Sequence, residues 1–219
     1  MERYASRGVL CALCLSTLSL SLPSTACAVL ISEVLYDGAA GDAGNVFIEL
    51  YGAPGTSLDG WSLEGVNGGD GSVYRSIVLS GTIPADGVFV VADGSGGVTN
   101  IANADLVAGV DLQNGPDSVR LLNGTTVIDA LGYGDFTGLF FAGEGNAAPD
   151  APAGSSLARL NVLFDTDDNL ADFAILSTPT PGLVPVSSVP LPGAIYLLGS
   201  GLAMLATRGV RRRPARLDS

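Results

Sequence analysis

Between residues 28 and 133, short runs of Val, Ile, Leu and aromatic residues alternate with Gly, Asn, Asp and Pro, and no stretch between the termini carries helical periodicity. Ala28 to Tyr36, Val46 to Tyr51, Trp61 to Val66, Val73 to Leu79, Val88 to Ala92, Ser118 to Leu122 and Thr126 to Tyr133 read as strands. The pair Asn123-Gly124, set between two such runs, predicts a two-residue hairpin, because both central turn positions need positive φ. Asp86-Gly87 after Pro84 predicts a second tight turn. About seven strands with no helices to cover a parallel sheet predict an all-β fold, an antiparallel β-sandwich.

The two ends differ from this middle. Arg3 and Arg7 precede an apolar stretch, Gly8 to Leu22, that runs through Pro23 into Ser24-Thr25-Ala26-Cys27-Ala28. This is the order of a secretory signal peptide, with Ala26 and Ala28 framing an A-x-A cleavage site. The rival reading makes Cys27 a lipidated residue, although Ser24 stands where a lipobox has an aliphatic side chain. At the other end Val189-Pro190-Leu191-Pro192 leads into an apolar run, Gly193 to Thr207, and then Arg208, Arg211, Arg212, Arg213 and Arg216. Arginines resist translocation, so this cluster predicts a short transmembrane helix whose tail stays on the cytoplasmic side. About 15 apolar residues fall short of the ~20 of an ordinary spanning helix.

Between these ends lie twenty acidic residues and three basic ones, Arg75, Arg120 and Arg159, a net charge of −17. The chain contains no lysine. Such a body lacks the clustered cations that DNA, RNA or anionic lipid require, and its acidity reads first as solubility. Cys11, Cys14 and Cys27 all lie in the leader, so the mature protein carries no disulfide. About 160 residues suffice for one apolar core without one. Histidine is absent, which excludes Ser-His-Asp and Cys-His catalysis and His-ligated zinc.

The remaining chemistry rests on carboxylates. Glu33 and Glu49 each interrupt an apolar strand, where they read as outward-facing residues; as a pair they are the only acid-base candidate of glycosidase type. Asp165, Asp167, Asn169 and Asp172 offer the hard oxygen ligands calcium takes, but Leu170 and Leu176 stand where an EF-hand has its Gly and its bidentate Glu. Turn-capping and solvated aspartates compete with that reading. Trp61, the single tryptophan, reads as a core anchor. Gly68-Gly69-Asp70-Gly71 and Gly94-Ser95-Gly96-Gly97 lead into no helix with a Lys, so they are loops and not phosphate cradles.

Several motifs in order carry a resemblance. Ile31 to Asp37 (ISEVLYD), Phe47 to Tyr51 (FIELY), Ser57 to Leu63 (SLDGWSL), Gly87 to Ala92 (GVFVVA), Asp111 to Asn114, Asp117 to Leu121 and Val127 to Gly134 together resemble the lamin-tail domain family. That resemblance implies an immunoglobulin-like β-sandwich, used in nuclear lamins for protein contacts and found in many secreted bacterial proteins, with no catalysis of its own. Residues 187 to 216 resemble the PEP-CTERM sorting signals in their VPLP variant, with Gly193 where that variant usually has Ala. This second resemblance implies processing by exosortase and delivery through the inner membrane to the cell surface, outer envelope or polymer matrix of a Gram-negative bacterium.

The expected plan is a signal peptide at 1–28, a sandwich at 29–140, an Asp-rich C-terminal wrap at 141–178, an extended linker at 179–188 and a sorting signal at 189–216. The expected role is adhesion or scaffolding by a non-enzymatic module without cofactor. Its partners would be signal peptidase and exosortase in transit, then a surface protein or exopolysaccharide. The alternatives are a calcium- or carbohydrate-binding matrix module and, behind it, a hydrolase using carboxylates alone.

Overall fold

The structure is a computed structural model and describes residues 28–184. The leader with Ala26, the motif Val189, Pro190, Leu191 and Pro192, and Arg208, Arg211, Arg212 and Arg213 all lie outside the described residues. So do the expected signal-peptide helix and transmembrane helix; no helix among the described residues is long and apolar enough to cross a membrane.

The strands are β1 (Leu30–Leu35), β2 (Phe47–Tyr51), β3 (Trp61–Asn67), β4 (Val73–Val78), β5 (Val88–Asp93), β6 (Leu106–Ala108), β7 (Asp117–Asn123), β8 (Thr126–Tyr133), β9 (Ser156–Arg159) and β10 (Phe173–Leu176). One short helix, α1 (Asn169–Asp172), precedes β10. A six-stranded sheet in the order β10-β9-β1-β2-β5-β6 faces a four-stranded sheet in the order β4-β3-β7-β8. The space between them is filled by Ile31, Val34, Ile48, Leu50, Phe89 and Val91 from the first sheet and Leu63, Ile77, Val119, Leu121 and Leu131 from the second. Alternate positions reach this core, as the two-residue period of a strand requires, except in β1, where a register shift between Ile31 and Glu33 sets the core residues Ile31 and Val34 three apart.

The pairing is antiparallel except at one edge, where β6 runs parallel to β5, with Val91 opposite Leu106 and Asp93 opposite Ala108. The β7–β8 hairpin also differs by one residue from the expected turn. Asn123 pairs with Thr126, so the loop is Gly124-Thr125, and Gly124 alone has positive φ, at 61°. Glycine at the first central position marks a type II′ turn, which carries the right-handed strand twist as well as I′ does. At Pro84 to Gly87 the expected turn closes through Gly87 N–H donating to Pro84 O at 3.1 Å.

Strands β1, β2 and β5 are buried on both faces, which is why their sequences are nearly continuous apolar runs. Their outer face carries Leu35, Phe47, Val88 and Val90, covered by Ile101 from the β5–β6 connection and by Val184. The segment expected as a free linker is therefore seated on the sheet in its first part, from Thr180 to Val184. The segment expected as a separate wrap supplies β9 and β10, which extend the six-stranded sheet through β1.

Candidate functional site

Two buried carboxylate assemblies dominate the polar interior. The first is built around Arg159, at the end of β9, whose side chain is fully buried. Its Nη2 donates to both carboxylate oxygens of Asp129 at 2.9 Å, its Nη1 to Asp165 at 3.2 Å and Asp172 at 3.1 Å, and its Nε to the Ile31 carbonyl at 2.9 Å. Phe173 stacks beneath the guanidinium, 4.6 Å from its ring centre. Asp129 sits on β8 of the four-stranded sheet and Arg159 on β9 of the six-stranded one, so this pair clamps the two sheets together. Ile31 N–H donates to Asp129 as well, at 2.6 Å, and ties β1 into the same clamp.

A fourth carboxylate, Glu144, joins the cluster. Carboxylate oxygens of Asp129, Glu144 and Asp165 lie within 4.8 Å of one another, and Glu144 Oε2 is enclosed with no hydrogen-bond partner. One guanidinium faces four neighbouring carboxylates, which disfavours the charged form of the one that has no hydrogen-bond partner. Burial first, and then the charges of Asp129 and Asp165, push the Glu144 carboxyl up to about 8.

An acid whose pKa is raised on folding contributes stability that is complete below its unfolded value, 4.5, and is lost as pH rises through 8. The melting temperature of the wild type should therefore fall between pH 5 and pH 8.5. Glu144→Gln should fall less, the two diverging steadily from about pH 4.5 up to 8; equal slopes measured by calorimetry would exclude Glu144 as the proton holder.

The second assembly lies on the outer face of the six-stranded sheet. Glu33 and Glu49 stand directly opposite in the β1–β2 register, and both are 0% exposed. Glu33 accepts from Ser156 Oγ at 2.5 Å, Thr180 N–H at 2.9 Å and Thr180 Oγ1 at 2.7 Å. Glu49 accepts from Ser32 Oγ and Gly182 N–H, both at 2.8 Å. The two do face outward from the sandwich core, as their strand positions predict, but residues 180–184 cover them. A pair sealed in this way has no opening through which a glycoside could reach it.

The expected calcium ligands are given other partners. Asp165 and Asp172 are held on Arg159, and Asp172 also accepts from Thr166 N–H and Oγ1. The Asn169 side chain accepts from Gly132 N–H at 2.8 Å and Glu144 N–H at 2.9 Å and donates to Ala130 O at 2.7 Å, so it pairs with the free edge of β8 as another strand would. Asp167 is exposed, with φ of 53° in the turn before α1. The cation that Asp165 and Asp172 share is the guanidinium of Arg159. Neither Arg159 nor Asp129 stands out by residue type alone; the usable signal was an arginine inside a four-residue apolar strand of an almost cation-free body.

Trp61 is partly buried and packs against the main core. Arg75 pairs with Asp111 at 2.8 Å and Arg120 with Glu64 at 2.5 Å, so every arginine among the described residues is matched to a carboxylate. An open cleft of about 410 Å³ lies beside Gly44, Asp93, Ser95, Val98, Thr99 and Asn100. The oxygens of Asp93 are already taken there by the N–H groups of Gly44 and Val110.

No match was found among curated proteins. The family described as Lamin Tail Domain matches residues 23–135, just over half of the 219 residues, ending two positions after β8 and before β9, α1 and β10. With an all-β, two-sheet body consistent with an immunoglobulin-like sandwich lying under that match, the chain belongs to the Lamin Tail Domain family.

Proposed function

We propose that this chain is an exported, non-enzymatic module whose lamin-tail sandwich serves adhesion or scaffolding at the cell surface, outer envelope or polymer matrix. Signal peptidase cuts after Ala28. Exosortase recognises Val189 to Pro192, while Arg208, Arg211, Arg212 and Arg213 hold the chain in the inner membrane until it is processed. The observation that carries this reading is where the folded body meets the cleavage point: Ala28 is exposed and Val29, next to it, is 3% exposed. A cut after Ala28 would release the sandwich without removing a core residue. At the other end, Val184 packs on the sheet and precedes Val189 by five positions, so the sorting motif follows the seated chain closely.

The family's immunoglobulin-like fold is compatible with a non-catalytic role. The three arginines of the body are each paired with a carboxylate, which leaves its acidic residues in excess. Such a surface suits neutral or cationic partners, including surface proteins and exopolysaccharide, and not nucleic acid.

Replacing Arg208, Arg211, Arg212 and Arg213 together by Gln tests the sorting step. The altered chain should pass the inner membrane with its C-terminal tail uncut, read as a larger mass outside it. Unchanged processing of the variant would contradict a stop-transfer role for these residues.

A further inference from the structure

Residues 180–184 cross the outer face of the six-stranded sheet. The chain leaves β10 at one edge, passes β9, and is fixed above β1 and β2 by Glu33 and Glu49. Asn103, from the β5–β6 connection, holds it on the far side by donating to Pro181 O at 3.2 Å. Every polar anchor of the strap is thus a side chain from elsewhere in the fold gripping backbone or a hydroxyl. Val184 adds an apolar contact, packing on the cluster of Leu35, Val46, Phe47, Val88 and Val90.

The charges beneath the strap do not balance. Glu33 and Glu49 point from neighbouring strands to the same face, and side chains opposed in this way lie about 5 Å apart at Cβ. The groups that face them are neutral donors: Ser32 from β1, Ser156 from β9, and Thr180 and Gly182 from the strap. The charged groups nearby are also acidic. Asp86, in the turn before β5, acts on Glu49 through space, and Asp105 accepts from Val90 N–H on the same side of the sheet. All three arginines of the body are committed to other carboxylates. A carboxylate buried beside another without a cation is disfavoured in its charged form.

We propose that Thr180–Val184 is a latch on the outer face of the sheet, and that closing it takes up one proton on Glu49, which the strap buries against Glu33 with no cation beside it. Opening the latch returns the Glu49 carboxyl to water, so the open state releases the proton and the closed state retains it. Burial, followed by the charges of Glu33 and Asp86, raises the Glu49 carboxyl from 4.5 to about 7. Closure is then strongest below about pH 4.5, weakens about tenfold per pH unit up to 7, and is constant above that. In acid the tail that continues past Val184 starts from a fixed point on the sheet. At neutral pH and above it starts from a strap that opens more often, and a strip of Leu35, Phe47, Val88 and Val90 is uncovered each time.

Hydrogen exchange of the full-length chain in detergent micelles reads this directly. Protection of the Thr180 and Gly182 amides, corrected for the intrinsic pH dependence of exchange, should fall up to about a hundredfold between pH 5 and pH 8. The Leu50 amide in β2 should change far less. Glu49→Gln fixes the neutral form and should leave strap protection flat over the same range. Strap protection that is independent of pH in the wild type overturns the proposal, whatever the variant does. A loss shared equally by the strap and Leu50 overturns it too, since that would be opening of the whole sheet.

Discussion

Arg159→Met is expected to lower the melting temperature by about 10–15 °C, corresponding to about 3–5 kcal/mol of stability. Methionine fills most of the space of the arginine stem and keeps contact with Phe173, so packing is not the main loss. What is lost is the only cation touching Asp129, a carboxylate that is fully buried on β8. Ile31 N–H remains as its donor, and one hydrogen bond does not offset the desolvation of an ion. Asp172 and Asp165 lose the same partner, although Asp172 keeps Thr166. The double variant Arg159→Met with Asp129→Leu should recover a large part of the loss, because a buried pair replaced as a unit is far cheaper than one left half-occupied. Thermal denaturation of the two variants decides the matter. A double variant no more stable than the single would show that Arg159 acts through packing and not through charge.

The second large effect is expected at Asn169, whose substitution by Ala should cost about 2–4 kcal/mol. The side chain is fully buried, and its loss strands three groups at once: the N–H of Gly132, the N–H of Glu144 and the carbonyl of Ala130. Two of these belong to β8, the outermost strand of the four-stranded sheet. An edge strand with unmatched N–H and C=O groups is open to pairing with another chain, and Asn169 closes it with a side-chain amide in place of a strand. The variant should therefore show faster hydrogen exchange at Gly132 and a concentration-dependent tendency to associate. A Gly132 amide as protected as in the wild type would contradict this role.

The seven longer strands were legible because Val, Ile and aromatic runs bounded by Gly, Asp and Pro carry their own signal. The other three were not. Leu106–Ala108 has only three residues and an exposed side, Ser156–Arg159 contains a charged end, and Phe173–Leu176 follows an aspartate run that reads as loop. Ser156–Arg159 also pairs with β1, more than 120 positions earlier, and local propensity does not register that.

Glu33 and Glu49 show the limit most clearly. Their outward direction follows from strand alternation, but their burial comes from residues 180–184, more than 130 positions later. The Asp-rich segment at 165–172 was visible as an oxygen-rich cluster, whereas its ligand, a guanidinium delivered by a different strand, was not. Charge composition alone would not have placed a fully buried arginine at the seam of the two sheets.

The most direct test of the account is the mass and cellular fraction of the mature protein from its native host, with and without the exosortase. The predicted species begins at Val29, lacks the arginine tail and is recovered from the outer surface or medium only when the exosortase is present. A chain with its tail intact in the inner membrane, the same in both strains, would contradict it and leave the C-terminal segment as a simple anchor.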